Sequence, residues 1–388
     1  MSQPQEQAMH ALGRLIAHEF PVKRNFIYLM NAAVAPLPLR SSQAVCDYAF
    51  EFTNCGNLRE QDYWLPLLAK TRELAAGLLD CSPECIAFGK NTTWGLILAS
   101  LLLPVESGEE VITPADEFPA NYYPWLPLVD RGIRIIHVPQ QNHRIPLSAI
   151  SASFSDKTRL VTHSTVQYFS GFQQDLAGLA QLCLDRKTFL VLDGIQSLGA
   201  IPFSVKSARP SMLSADAHKW LLGPEGVSLL YVSPETIPLL RNDYRGWTGI
   251  ADPMNFNERP QDSLPHAGRF EEGAIGRAGI AAFHESLSLL LEVGIDTVRE
   301  RILGLTGYLI QELSRRSYHV LSPHSSTDER SGIVTFEPKH DAKALNFEFR
   351  KRKILISARN GCLRISPHFY NDTGEINVFL ENLDALDR

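Results

Sequence analysis

The chain has 388 residues, 44% of them hydrophobic and 21% charged, with ordinary amounts of glycine and proline. That composition belongs to a globular protein with a packed core, and the length exceeds what one core serves, so a large domain plus a smaller one is expected. A formal net charge of −6 and a pI near 6.1 give no field that would recruit a polyanion, which excludes nucleic acid and anionic membrane as the main partner and points to a small molecule.

In chain order, Met1 to Phe20 has no basic stretch followed by an apolar one, because Glu6, His10, Arg14, His18 and Glu19 interrupt it; no export signal is expected, and the location read from this is cytoplasmic. The six cysteines (Cys46, Cys55, Cys81, Cys85, Cys183 and Cys362) lack Cys-x-x-Cys spacing, which suits reduced thiols and gives no metal site. From about residue 60 to 235, helix-length amphipathic segments (Trp64 to Asp80, Trp94 to Leu103, Asp175 to Arg186) alternate with short apolar runs (Glu110 to Thr113, Ile133 to Val138, Leu160 to His163, Phe189 to Asp193, Val227 to Val232). Strands apolar on both faces fit a mostly parallel sheet covered by helices, an α/β domain. The longest apolar stretch, Leu96 to Val105, is about half of what a membrane span needs and reads as a buried helix. Beyond Ala278, two long helical patterns (Gly279 to Val293, Asp296 to Arg315) and fewer strand-like runs (Ser331 to Phe336, Cys362 to Ser366) predict a small α+β domain. The expected organisation is a segment 1–30 packing with the small domain, a large domain 31–280 and a small C-terminal domain 281–388.

Open parallel sheets hold ligands outside the carboxyl ends of their strands, so the residues that end the apolar runs carry the chemistry. Phe189 to Asp193 ends in a carboxylate. Ser214-Ala-Asp216-Ala-His218-Lys219-Trp220 and a Gly-Pro-Glu-Gly turn stand before the run 227–232, and Asn91-Thr92-Thr93 opens a helix pattern. A helix start with Thr hydroxyls suits a phosphate. A fixed strand-end Asp193 suits the nitrogen of a pyridine ring that must stay protonated to accept electrons, and a lysine in apolar surroundings, Lys219, suits an aldehyde. Together they describe a site for pyridoxal 5′-phosphate (PLP).

At these residues the sequence resembles the class V aminotransferase family of fold-type I PLP enzymes, which includes cysteine desulfurases, kynureninases and isopenicillin N epimerase-like proteins. The resemblance extends to Asn31-Ala32-Ala33, Asp116-Glu-Phe118-Pro-Ala-Asn121, Gln167-Tyr168-Phe-Ser-Gly171, Asp193-Gly-Ile-Gln196, Gly246-Trp247, Arg269-Phe-Glu-Glu-Gly273 and Leu363-Arg364-Ile-Ser-Pro-His368-Phe-Tyr370-Asn371. It implies Lys219 as the Schiff-base lysine, Asp193 at the pyridine nitrogen and Gln196 on the phenolic-oxygen side. It also implies Thr92, Thr93 and His218 at the phosphate, Phe118 stacked on the ring, Gln167 or Tyr168 near the cofactor oxygen, and Arg364 clamping the substrate α-carboxylate, with Asn31 and Ala32 beside the substrate. A homodimer is implied too, with Arg269 to Gly273 and Ala274 reaching the partner's cofactor.

Three departures stand out. Asp216 occupies a position that is often Ser in desulfurases, and an ionised carboxylate cannot donate to a phosphate. Gly273-Ala274 replaces the Gly-Thr of desulfurases, so a hydroxyl is missing. No cysteine lies between Ser331 and Gly361, and Cys362, two residues before Arg364 in a strand-like run, shares its face without standing on a loop. The expected activity is therefore PLP chemistry at the α-carbon of an amino acid, as a lyase (C–S or β-elimination type) or transaminase without a catalytic cysteine. The alternatives are an epimerase of the isopenicillin N epimerase-like type, a cysteine desulfurase, or, in another class, a non-catalytic binding protein on the same fold. No Gly-x-Gly pair supports a dinucleotide fold.

Overall fold

A computed structural model describes residues 3–388. Its centre is a seven-stranded sheet of β2 (Ile86–Gly89), β3 (Glu110–Pro114), β4 (Arg134–Val138), β5 (Thr158–Ser164), β6 (Phe189–Asp193), β7 (Met212–Asp216) and β8 (Ser228–Val232), in the order β2-β8-β7-β6-β5-β3-β4. All neighbouring pairs are parallel except those of β8, which runs antiparallel to both β2 and β7. The apolar runs form these strands because alternate residues feed two cores. Leu190 and Leu192 of β6 enter the core covered by the helices Leu176–Asp185 and Arg277–Val293, whereas Val191 enters the one covered by the helix Thr92–Leu102. The sequence reading placed β3 to β6 and β8 to within two residues at each end. It missed β2, and it read the Lys219 block as a connection where the block in fact begins inside β7.

Two further sheets lie toward the C-terminus. Four antiparallel strands, β9 (His319–Val320), β10 (Val334–Glu337), β12 (Ser357–Arg359) and β13 (Cys362–Ile365), are ordered β12-β13-β10-β9, and β1 (Ile27–Tyr28) pairs in parallel with β11 (Ile354–Leu355). A third core gathers Leu29, Leu309 and Leu313 of the helix Ile295–Arg315, Val334, Phe336, Leu363, Ile365, and Phe379 of the helix Thr373–Leu386. Leu363 and Ile365 enter this core, so alternation turns Arg364 away from it.

Two consequences of this topology build the site. Because β2 and the parallel strands point the same way, their carboxyl ends share one sheet edge, and that edge holds Gly89 just before the Thr92 helix, Ser164, Asp193 and Asp216. The N-terminal segment crosses to the C-terminal sheet, where Met30 bridges Ser366 in parallel. Among the described residues no single helix is long and apolar enough to cross a membrane.

Gly199 shows how closely the Lys219 loop is packed. Its φ is +91°, and a Cβ there would stand 2.3 Å from the Trp220 carbonyl oxygen. Gly199→Ala is expected to cost about 2 kcal/mol or more in denaturant unfolding, because neither the backbone angle nor the space admits a methyl group.

Candidate active site

Lys219 follows β7 and is 7% exposed. Its Nζ lies 5.5 Å from the centre of the Phe118 ring, and Phe118 packs edge-on against Tyr168 at 5.2 Å. Burial lowers the Lys219 pKa to about 8, against the pull of Asp193 and with the push of Arg364. Asp193, at the end of β6 and 1% exposed, accepts from the Ile195 N–H at 3.0 Å. Its pKa is raised to about 7, first by burial and then by the neighbouring Glu117 carboxylate, while the Ile195 N–H and Lys219 oppose the rise.

Arg364 completes the centre. It projects from β13 and is 1% exposed, and its Nη1 donates to the Tyr168 carbonyl at 2.5 Å. Nε and Nη2 are buried without a partner. Burial, then Arg359, lowers its pKa to about 9. A buried guanidinium with two unused N–H groups is costly unless an anion arrives.

The residues that the sequence suggests for a phosphate lie together and bond to one another. Asn91 caps the helix through Trp94 N–H at 2.8 Å. Asp216 Oδ2 accepts from the Thr92 backbone N–H (3.0 Å) and hydroxyl (3.2 Å), and the Thr92 hydroxyl accepts in turn from the Asp216 N–H (2.9 Å). His218 Nδ1 stands 3.7 Å from Asp216 Oδ1. Asp216 is thus fixed at the helix start, where it occupies both Thr92 donors; Thr93, next in the helix, is half-buried.

Gln196 is pinned between two protein groups. Its Nε2 donates to the Ala32 carbonyl at 3.0 Å, and its Oε1 accepts from Trp220 Nε1 at 2.9 Å. The Ala32 N–H donates to Ser366 Oγ (3.0 Å), and Asn31 bonds both the Ser366 carbonyl (2.9 Å) and the Tyr370 hydroxyl (2.7 Å). His368 Nε2 reaches the Trp220 carbonyl at 3.1 Å, and burial holds the ring's pKa down at about 4, so it is the neutral imidazole that donates. Segment 31–32, which the family resemblance places beside a substrate, is thereby tied to both the lysine loop and the end of the arginine strand.

The sequence reading assigned no role to Glu117. Buried at 6% exposure, it accepts from Ser164 N–H (2.7 Å), Ser164 hydroxyl (2.5 Å) and Gln167 Nε2 (3.3 Å), so Gln167 is anchored to the loop that carries Phe118. Its place directly before Phe118 was the available signal. Asn121 and Trp125, farther along the loop from Phe118, are buried with Thr162, and Trp125 belongs to the second core. Gly273 and Ala274 lie in another cleft, beside Trp247, Gly89 and Lys90.

The chain matches the model of the aminotransferase class-V family over residues 27–379. It belongs to that family. It is 25% identical to a probable cysteine desulfurase of Methanothermobacter thermautotrophicus over 96% of this chain and 97% of that one. It is 24% identical to the uncharacterized aminotransferase YcbU of Bacillus subtilis over 94% and 96%. Among solved structures, the cystine C-S lyase C-DES in complex with its product cysteine persulfide superimposes with a TM-score of 0.87 at 21% identity, covering 94% of this chain and 99% of that one.

Class-V aminotransferases are PLP-dependent enzymes, and the residues of this member fit that cofactor. A buried amine of lowered pKa, a buried carboxylate in need of a cation, and an unpartnered buried guanidinium are the three charges that an aldehyde, a pyridine nitrogen and an amino-acid carboxylate would satisfy. The Lys219 pKa sets a pH window. An ordinary lysine becomes a neutral amine only near 10.4, so trapping of PLP by the apoprotein with borohydride, followed by mass spectrometry, is expected to rise with pH to a plateau with its midpoint near 8.

Proposed function

We propose that this class-V enzyme acts at the α-carbon of an amino acid, with Lys219 holding the cofactor and then serving as the base, and that it is a lyase or transaminase which uses no cysteine. Bound PLP draws electrons from the α-carbon and so makes its proton removable. The chain's own residues do the rest. Asp193 holds the ring nitrogen, and a protonated nitrogen beside it relieves the penalty that burial imposes on the carboxylate. Thr93 and His218 hold the phosphate, with Thr92 and Asp216 setting the helix start that presents them. Phe118 faces the ring, and Gln167 and Gln196 border it, each braced by its own protein bonds. Arg364 takes the α-carboxylate on Nε and Nη2, a planar two-point contact, beside the Ala32 backbone and Asn31. Lys219, neutral above about pH 8, removes the α-proton and returns it.

The observation that carries this reading is the buried Lys219 set between a buried carboxylate, Asp193, and the unpartnered Arg364. Phe118, the ring beside Lys219, has no proton to give, and Asp193, Asp216 and His218 are given other tasks in this reading, so the proposal assigns the α-proton to Lys219 alone and leaves the Tyr168 phenol, packed on Phe118 at 5.2 Å, outside the proton path. That favours elimination or transamination over epimerisation, which must also protonate the opposite face. Cys362 argues against a persulfide route: it is 6% exposed in β13, and burial, with Glu337, raises its pKa away from the thiolate.

We further propose a homodimer, with Gly273 and Ala274 contributed to the partner's site. Supporting this, they border an apolar cleft that also includes Trp247 and Met254, exposed at 53% and 67%. The division between a large cofactor-holding unit and a C-terminal unit is likewise proposed to lie in the region of the helix Arg277–Val293.

The holoprotein is expected to be yellow, and Lys219→Ala to lose the borohydride-fixed cofactor. Cysteine and cystine are among the amino acids to supply. Pyruvate and ammonia formed without a keto acid identify a lyase, and amine transfer that requires a keto acid identifies a transaminase. Arg364→Gln is expected to raise KM by about 100-fold, the effect of losing a buried charge-assisted pair. Sulfur carried on the enzyme and abolished by Cys362→Ser would overturn the thiol-free mechanism.

A further inference from the structure

We infer that Arg359 and Arg364 together form a two-point anion receptor, and that the substrate is an amino acid with a second acidic group beyond its β-carbon. This rests on the reading that Arg364 holds the α-carboxylate. In the hairpin of β12 and β13, Arg359 lies opposite Cys362 and Ser357 lies opposite Arg364. Residues directly opposite share a face, and so do residues two apart along one strand, which puts Arg359, Cys362 and Arg364 on one side of the sheet. That is the side turned away from the third core, since Leu363 and Ile365 fill the core from the other. Arg364 meets the Tyr168 carbonyl there, and Thr335, its partner on β10, donates to the Phe169 carbonyl at 2.6 Å. The two arginines therefore face the loop that borders Lys219.

No acid pairs with either of them. Arg364 keeps two buried donors without a partner, and among the described residues the Arg359 side chain makes no hydrogen bond or ion pair, its backbone being paired with Cys362. Glu337, the acidic residue nearest Cys362 on the adjoining strand, already binds His319 Nδ1 at 3.0 Å. Arg359 acts electrostatically on both Lys219 and Arg364, disfavouring the charged form of each. Diagonal neighbours on one sheet face stand about 7–8 Å apart, and like charges at such range repel. A lone α-carboxylate needs only the fork of Arg364. A second cation on the same face, exposed beside the Asn360-Gly361 turn, matches a second anion at the far end of the substrate.

The test is calorimetric titration of the holoprotein with unreactive succinate and glutarate, each compared with butyrate. The dianions are expected to bind about tenfold tighter or more, the scale of one charge-assisted contact at a partly hydrated site. The advantage should shrink with added salt and collapse in Arg359→Gln, while Arg359→Lys keeps part of it. An unchanged melting temperature and cofactor band establish that each variant is folded. Equal binding of monoanion and dianion, absence of dianion binding, or a dianion preference that survives Arg359→Gln each overturns the inference. The underlying reading is checked separately by the shift of the cofactor band on adding L-alanine and its loss in Arg364→Gln. If L-alanine shifts the band but no dianion preference is found, only the two-point receptor fails.

Discussion

Desolvation of Lys219 is the constraint on which the rest of this structure depends. A lysine in water is an ammonium ion and no nucleophile, and the fold brings the amine form within reach chiefly by removing water, with the pKa lowered to about 8. That removal requires a closed shell around the loop after β7, and the packing of Gly199 beneath the Trp220 carbonyl is part of it. The same burial lifts Asp193 toward neutrality and lowers Arg364, so the three groups are held in states that ligands of complementary charge would reverse. The folded protein carries these penalties as a standing cost, which its three apolar cores offset.

The hydrogen bonds around the centre explain how its parts stay in register. Gln196 joins Ala32 to Trp220, His368 joins Trp220 to the segment after β13, and Ser366 receives Asn31 and Ala32. The lysine loop, the arginine strand and the N-terminal crossing therefore form one connected polar network inside an otherwise apolar interior. Every link is between buried groups, so a broken link leaves an unsatisfied partner rather than a hydrated one.

Much of the fold could be read from the sequence because periodicity reports burial. Phe189 to Asp193 is apolar on both faces, and it is a central strand with those same limits. Met212–Asp216 escaped because Ser214 and Asp216 make it look polar; both are buried, since Ser214 donates to the Thr92 carbonyl and Asp216 accepts from Thr92. Ile86–Gly89 is only four residues long and next to the helix start, too short for a pattern. In the site, Lys219, Asp193 and Arg364 were legible because each sits in a distinctive local motif. What local sequence could not give was pairing across the chain. Asp216 was recognisable as a misfit for a phosphate, but not as the partner of a residue 124 positions earlier. Glu117 read as an ordinary acid beside Phe118 until Ser164 and Gln167 were brought to it.

The crossing of the N-terminal segment to the C-terminal sheet has a bearing on biosynthesis. Ala32 and Ser366 are 334 residues apart in the chain, yet the bond between them helps hold the candidate site together. The seven strands of the central sheet are complete by Val232, so its hydrogen-bond ladder can close on a nascent chain well before the last third has been translated. The contacts of the N-terminal crossing cannot. The bonds of residues 29–32 to Leu355 and Ser366 must wait until those residues have left the ribosome, and so the network that ties the Lys219 loop to the end of β13 is completed only at the end of synthesis.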